Sequence, residues 1–147
     1  MSVFDCADNV ATKFQIAIAH QNQGRLSIAK EICEEIRVGS PQHFDSRQQL
    51  GVISAQLGTL DSAVELLCRA IEINPASDSA SYYLGFAMCK LKQFAAGVEC
   101  FDKALALNPS HAQAACDRAS ALVELGQFED ALAGYDQAIG ICADYAE

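Results

Sequence analysis

Apolar positions recur along this chain near the helical period, broken by short polar stretches. In residues 78–91 the recurring positions are Tyr82, Leu84, Met88 and Leu91; in residues 93–107 they are Phe94, Val98, Phe101, Leu105 and Leu107. The breaks repeat one another. "EINPASDSASYYLG" runs from Glu72 to Gly85, and the similar "ALNPSHAQAACDRA" runs from Ala106 to Ala119, 34 residues later. Proline lacks an amide hydrogen and keeps the residue before it out of the helical region, so each phrase ends one helix and launches the next. Asp78, just past Pro75, is the expected N-cap. The pattern predicts eight helices, near 10–23, 25–38, 44–57, 59–73, 78–91, 93–107, 112–125 and 127–141.

The same step of 34 governs the punctuating residues. Pro41, Pro75 and Pro109 keep it, as do Gly24, Gly58 and Gly126, with Lys92 in the slot between the last two. Small residues keep it too: Ala17, Gly51, Gly85 and Ala119; Ala29, Ala63, Gly97 and Ala131; Ile36, Ala70, Ala104 and Ala138. Self-similarity at a fixed period means stacked units, each burying its apolar face on its neighbours. The units are 10–43, 44–77, 78–111 and 112–145, one all-α array (10–147) behind an N-terminal extension, 1–9. The small residues admit close approach of two helix backbones.

Composition narrows the function classes. The chain has 147 residues, 51% hydrophobic and 20% charged, with a net charge of −9. That balance disfavours nucleic acid and anionic membranes, both of which need surplus Lys and Arg. The last unit is the most acidic, with Asp117, Glu124, Glu129, Asp130, Asp136 and Asp144 against Arg118. No apolar run is long enough to span a membrane, and "MSVFDCADN" lacks the basic and apolar parts of a signal peptide, so the chain reads as cytoplasmic. Its seven cysteines (Cys6, Cys33, Cys68, Cys89, Cys100, Cys116, Cys142) form no CxxC pair and mostly occupy apolar helix faces. They read as reduced, buried small hydrophobes. His20, His43 and His111 match no ligand spacing, so no metal and no cofactor is expected. Catalytic signatures such as GxSxG, GxGxxG, a Walker loop or HExxH are missing, and the chain is not expected to be an enzyme.

The repeat resembles the tetratricopeptide repeat. "YLGFAMCKLKQFAAGVECFDKALALNP" carries Leu84, Gly85, Gly97, Phe101, Ala104 and Pro109 in that pattern; "QLGVISAQLGTLDSAVELLCRAIEINP" carries Leu50, Gly51, Gly58, Ala63, Leu67, Ala70 and Pro75. The first unit is weaker but in phase, and the fourth has Ala119, Leu122, Gly126, Ala131, Tyr135 and Ala138. The resemblance implies a right-handed α-solenoid of four helix-turn-helix repeats, with a concave groove lined by the first helix of each. It places Phe14, Ile18 and Asn22, then Gln48, Val52 and Gln56, then Tyr82, Phe86 and Lys90, then Cys116, Ser120 and Glu124 in that groove. Such a lining of apolar and amide groups suits an extended peptide from a protein partner, although Tyr82 and Phe86 also read as core. The family's clamp for acidic C-terminal tails is not matched: its slots hold Phe14, Ile18, Gln49, Ser79 and Tyr83 in one window. The usual Trp is replaced by Lys13, Arg47, Ser81 and Ala115, proline is missing at Ala143, and Arg118 stands in a Leu slot, where Asp102 or Asp136 is its expected ion-pair partner.

Three functions are open: a protein-interaction scaffold, a substrate-recruiting arm of a larger glycosyltransferase-like protein, or a secretion-type chaperone. The second rests on the wording "ALAGYDQAIGICADYAE", which resembles repeat arms of bacterial proteins related to O-linked N-acetylglucosamine transferases. The last unit is also expected to leave an apolar ridge of Leu122, Leu125, Leu132, Tyr135 and Ile139. A second copy would cover it, either by its like end, giving a two-fold homodimer, or by its N-terminal segment around Val3–Phe4. The dimer is the favoured arrangement, because it closes.

Overall fold

Helix boundaries fall where proline, left-handed turns and capping side chains put them. The computed structural model describes residues 3–145, with side chains from Asn9 to Asp144. Among these residues there are eight α-helices and no strand: α1 (Val3–Asn22), α2 (Leu26–Gly39), α3 (Phe44–Leu57), α4 (Leu60–Ile73), α5 (Asp78–Lys90), α6 (Phe94–Leu107), α7 (Ala112–Glu124) and α8 (Phe128–Tyr145). Pro41, Pro75 and Pro109 each follow the end of an even-numbered helix by two residues. Where Ala143 replaces that proline nothing stops the helix, and α8 runs to Tyr145 instead of ending near 141. At the other end, "VFDCADN" offers no glycine or proline, and α1 begins at Val3 rather than near residue 10.

Capping follows the same period, with a correction. Asp78 is not the N-cap of α5. Ser77 is, its side chain accepting from the Ala80 amide at 3.2 Å. One period either side, histidines cap: His43 Nδ1 accepts from the Ser46 amide at 3.1 Å, and His111 Nδ1 from the Ala114 amide at 3.2 Å. Asp78 sits instead in the first turn of α5, where a carboxylate meets the positive end of the helix dipole, and it accepts from Asn108 Nδ2 at 3.0 Å.

The chain divides into two compact units, Met1–Ile73 with α1 to α4 and Asn74–Glu147 with α5 to α8. Within each, consecutive helices pack on one another through short turns, as antiparallel hairpins do. The first unit is centred on Ala17, Ala29, Cys33, Leu50 and Ile53, the second on Tyr82, Phe101, Ala104 and Ala114. Phe101 is wholly buried. It fits because α5 offers Gly85 opposite: a Cβ there would lie 2.8 Å from the Phe101 ring. The turn after each odd-numbered helix needs a left-handed residue. Glycine supplies it at positions 24, 58 and 126, but the third turn uses Lys92, at φ 66°.

No disulfide joins the cysteines whose side chains are described: Cys33 and Cys100 are buried, Cys68, Cys89 and Cys116 half-buried, Cys142 exposed. Cys6 and the contact foreseen for Val3–Phe4 lie outside the described side chains. Burial first, then Glu34, pushes the Cys33 thiol up to about 11.

Candidate binding site

In the second unit, α5, α6 and α7 leave a cavity of about 330 Å³. Phe86, Cys89 and Lys90 enter it from α5, Phe94 and Phe101 from α6, and Asp117, Ser120 and Glu124 from α7. Lys92 completes the lining from the turn between α5 and α6. The spacing explains the cluster: Phe86 and Lys90 are four apart on α5, and Asp117, Ser120 and Glu124 are three and four apart on α7, so each helix presents one face.

Side-chain bonds hold this lining in place. The Tyr82 hydroxyl donates to Asp117 Oδ2 at 2.6 Å, and Gln113 Nε2 donates to Asp117 Oδ1 at 3.0 Å, so the Asp117 carboxylate is fixed from two sides. Burial, then the hydrogen bond to Asp117, pushes the Tyr82 phenol far up, and it stays a donor. Its ring packs against Tyr83, Phe101 and His111 at centroid distances of 5.0, 5.8 and 4.8 Å. Tyr82 thus backs the cavity as core. Lys90 Nζ stands 5.3 Å from the Phe86 ring centroid, a cation over an aromatic face. Ser120 donates to the Cys116 carbonyl at 3.2 Å and accepts from the Tyr135 hydroxyl at 2.8 Å. Cys89 is pushed up to about 11 by burial, with Asp117 adding to it.

Four expected groove residues therefore meet in one cavity: Phe86, Lys90, Ser120 and Glu124. Cys116 is half-buried beside them. In the first unit Val52 is core at 2% exposure, Phe14, Ile18 and Gln48 are half-buried, and Asn22 and Gln56 are exposed. The amides there join side chain to side chain: Gln21 donates to Gln56 at 3.1 Å and accepts from Gln49. Phe14 meets the His43 ring edge-on at 5.7 Å.

The expected groove lining did not include Lys92 or Phe94. A signal existed for Lys92, a charged side chain in a slot that is glycine in the other three repeats. Arg118 bonds Asp102, the first of its two expected partners. Of the foreseen apolar ridge, Leu122 belongs to the core at 3% exposure, because α7 turns it inward; Leu125, Leu132 and Ile139 are exposed and Tyr135 half-buried. Phe128, at 66%, extends the ridge in its place.

Among the described residues there is no group of His, Cys, Asp and Glu that could hold a metal ion, and no helix is long and apolar enough to cross a membrane.

Two stretches, residues 44–77 and residues 90–146, each match the tetratricopeptide repeat, and together they span more than half of the chain. No curated protein matches. Solved structures share the fold. MamA MSR-1 C2 is 25% identical, with 92% of this chain and 78% of that one covered at a TM-score of 0.79. A crystal structure of MamA superposes at a TM-score of 0.86, with 20% identity over 94% of this chain and 81% of that one. MamA 41-end from Desulfovibrio magneticus RS-1 gives 0.84, with 21% identity over 92% and 76%. The four helix pairs, their fixed period and these matches agree: the chain belongs to the tetratricopeptide-repeat family.

Proposed function

We propose that this protein is an interaction scaffold that holds an extended segment of a partner protein along its odd-numbered helices. The cavity between α5, α6 and α7 then takes one large apolar side chain of that segment. The observation that carries this reading is the cavity itself. Phe86, Phe94 and Phe101 give it apolar walls, while Lys90, Lys92, Asp117 and Glu124 give it charge of both signs. An apolar side chain gains by leaving water for such walls, and the polar groups of the segment find donors and acceptors around it. Tyr82 and Gln113 fix the Asp117 carboxylate in advance, which lowers the ordering cost of binding. In the first unit, exposed Asn22 and Gln56 offer amides to a peptide backbone. The family and fold support scaffolding by protein contact; the groove and its occupant are our reading.

Selection of peptides from a display library on the immobilised protein tests it. Enriched peptides should share a large apolar residue, and Phe86→Ala should weaken their binding by about tenfold or more with folding intact, about 1.4 kcal/mol. Val38→Ala, on an exposed residue of α2, should leave binding unchanged. Equal affinity for wild type and Phe86→Ala would overturn the reading.

A further inference from the structure

Four charged side chains line the cavity of the second unit, and none of them neutralises another. Among the described residues, Lys90, Lys92, Asp117 and Glu124 form no ion pair. The remaining charges of the three helices around the cavity are placed elsewhere. Asp78 accepts from Asn108, Arg118 is engaged by Asp102, and Glu99 and Lys103 are exposed outside the lining. The acids of α8 do not line the cavity either.

The four charges are divided along the cavity. Consecutive helices are antiparallel, so α5 and α7 run the same way, and Lys90 and Glu124 hold the same slot one period apart. Lys90 ends α5, Lys92 lies in the turn beyond it, and Glu124 ends α7. This end of the cavity therefore carries two cations against one acid. Asp117 comes seven residues before Glu124 on α7, two helical turns or about 10 Å away. The other end is thus an acid with no cation. Both Asp117 oxygens accept from neutral donors, the Tyr82 hydroxyl and the Gln113 amide. A carboxylate has about four acceptor sites, so Asp117 keeps room for a charged donor. Phe86 holds the slot of Ser120 and stands between the two ends.

We infer that the segment bound here is dipolar: a basic residue on Asp117, an acidic residue on Lys90 and Lys92, and the large apolar residue between them on Phe86. This rests on the cavity being the binding site and adds the charge of its occupant. An uncharged segment would cover these groups and leave them unpaired. A wholly basic segment would meet the two lysines. A wholly acidic one would meet Asp117 and the chain's net charge of −9.

Capped synthetic peptides test this, each with a central phenylalanine in a Gly/Ser background and Arg, Glu or Gln in the positions on either side. Their affinities for the full chain are measured by fluorescence anisotropy. Peptides with Arg on one side and Glu on the other should bind more tightly than those with Gln on both sides, by about two- to fivefold for each charge, the range of a partly exposed ion pair. Asp117→Asn should remove the gain from Arg and keep the gain from Glu. The double variant Lys90→Gln, Lys92→Gln should do the reverse. Both lysines are exposed, so this second arm stands should Asp117→Asn loosen the Tyr82 contact; circular dichroism checks helicity in each. Peptides that lose affinity in Phe86→Ala yet show no preference among Arg, Glu and Gln would overturn the inference and leave the cavity as the site. So would tightest binding by peptides with two bases or two acids. Affinities equal for wild type and Phe86→Ala would overturn the site itself, and this inference with it.

Discussion

The same substitution, glycine to alanine, should have opposite signs at two positions in the second unit. Alanine in a helix interior is favoured over glycine by about 1 kcal/mol. At Gly140 on α8 a Cβ would meet nothing within 4 Å, so Gly140→Ala should realise most of that gain. At Gly85 the Cβ would lie 2.8 and 2.9 Å from two Phe101 ring carbons and 3.1 Å from Cys100 Cβ. Phe101 cannot yield easily: it is fully buried, and the Tyr82 ring lies 5.8 Å away, centroid to centroid. Overpacking of this kind costs about 1–3 kcal/mol. Net of the propensity gain, Gly85→Ala should destabilise by about 1 kcal/mol. Gly85→Leu adds three more carbons to a site without room and should cost more. All four tyrosines (Tyr82, Tyr83, Tyr135 and Tyr145) lie in the second unit and the chain has no tryptophan, so tyrosine fluorescence reports that unit alone. Urea titration followed by this signal gives the free energies from midpoint and slope. If Gly85→Ala proved as stabilising as Gly140→Ala, α5 and α6 would not approach as closely as described.

Other expectations follow from single contacts. Lys92→Gly should stabilise the second unit by about 1 kcal/mol, since an L-residue is strained at φ 66°, and should weaken peptide binding at the cavity; the same urea titration and a binding isotherm check both. Asp102→Asn should cost less than about 1 kcal/mol, because its pair with Arg118 is partly solvent-exposed, with side chains 52% and 28% accessible. Cys33 and Cys89, pushed from 9.0 to about 11, hold roughly a hundredfold less thiolate than an ordinary thiol at pH 8, so a thiol reagent followed by mass spectrometry should label exposed Cys142 well before either.

The repeat was legible because its punctuation is local. Proline ends a helix whatever surrounds it, so α2, α4 and α6 end within about a residue or two of their expected places. Where punctuation is missing, before Val10 and at Ala143, the helices ran further than expected. The histidine caps were visible as a spacing, with His43, Ser77 and His111 one period apart, but histidine is not an ordinary capping residue and the spacing was read only against metal-ligand patterns. The binding lining was half legible. Helical periodicity fixes which face of α5 carries Phe86 and Lys90. It does not reveal that the Tyr82 hydroxyl finds Asp117, 35 residues away, and so turns a groove residue into the wall behind the cavity. Leu122 shows the same limit from the other side: a leucine near the end of α7 is apolar whether it faces the core or solvent, and only packing assigns it to the core.

The most direct test of the scaffold reading is an amide chemical-shift titration of the labelled protein with a selected peptide. Shifts should concentrate on Phe86, Lys90, Lys92, Ser120 and Glu124 and weaken in Phe86→Ala. Shifts confined to the outward faces of α2, α4, α6 or α8, with the cavity residues unmoved, would contradict it.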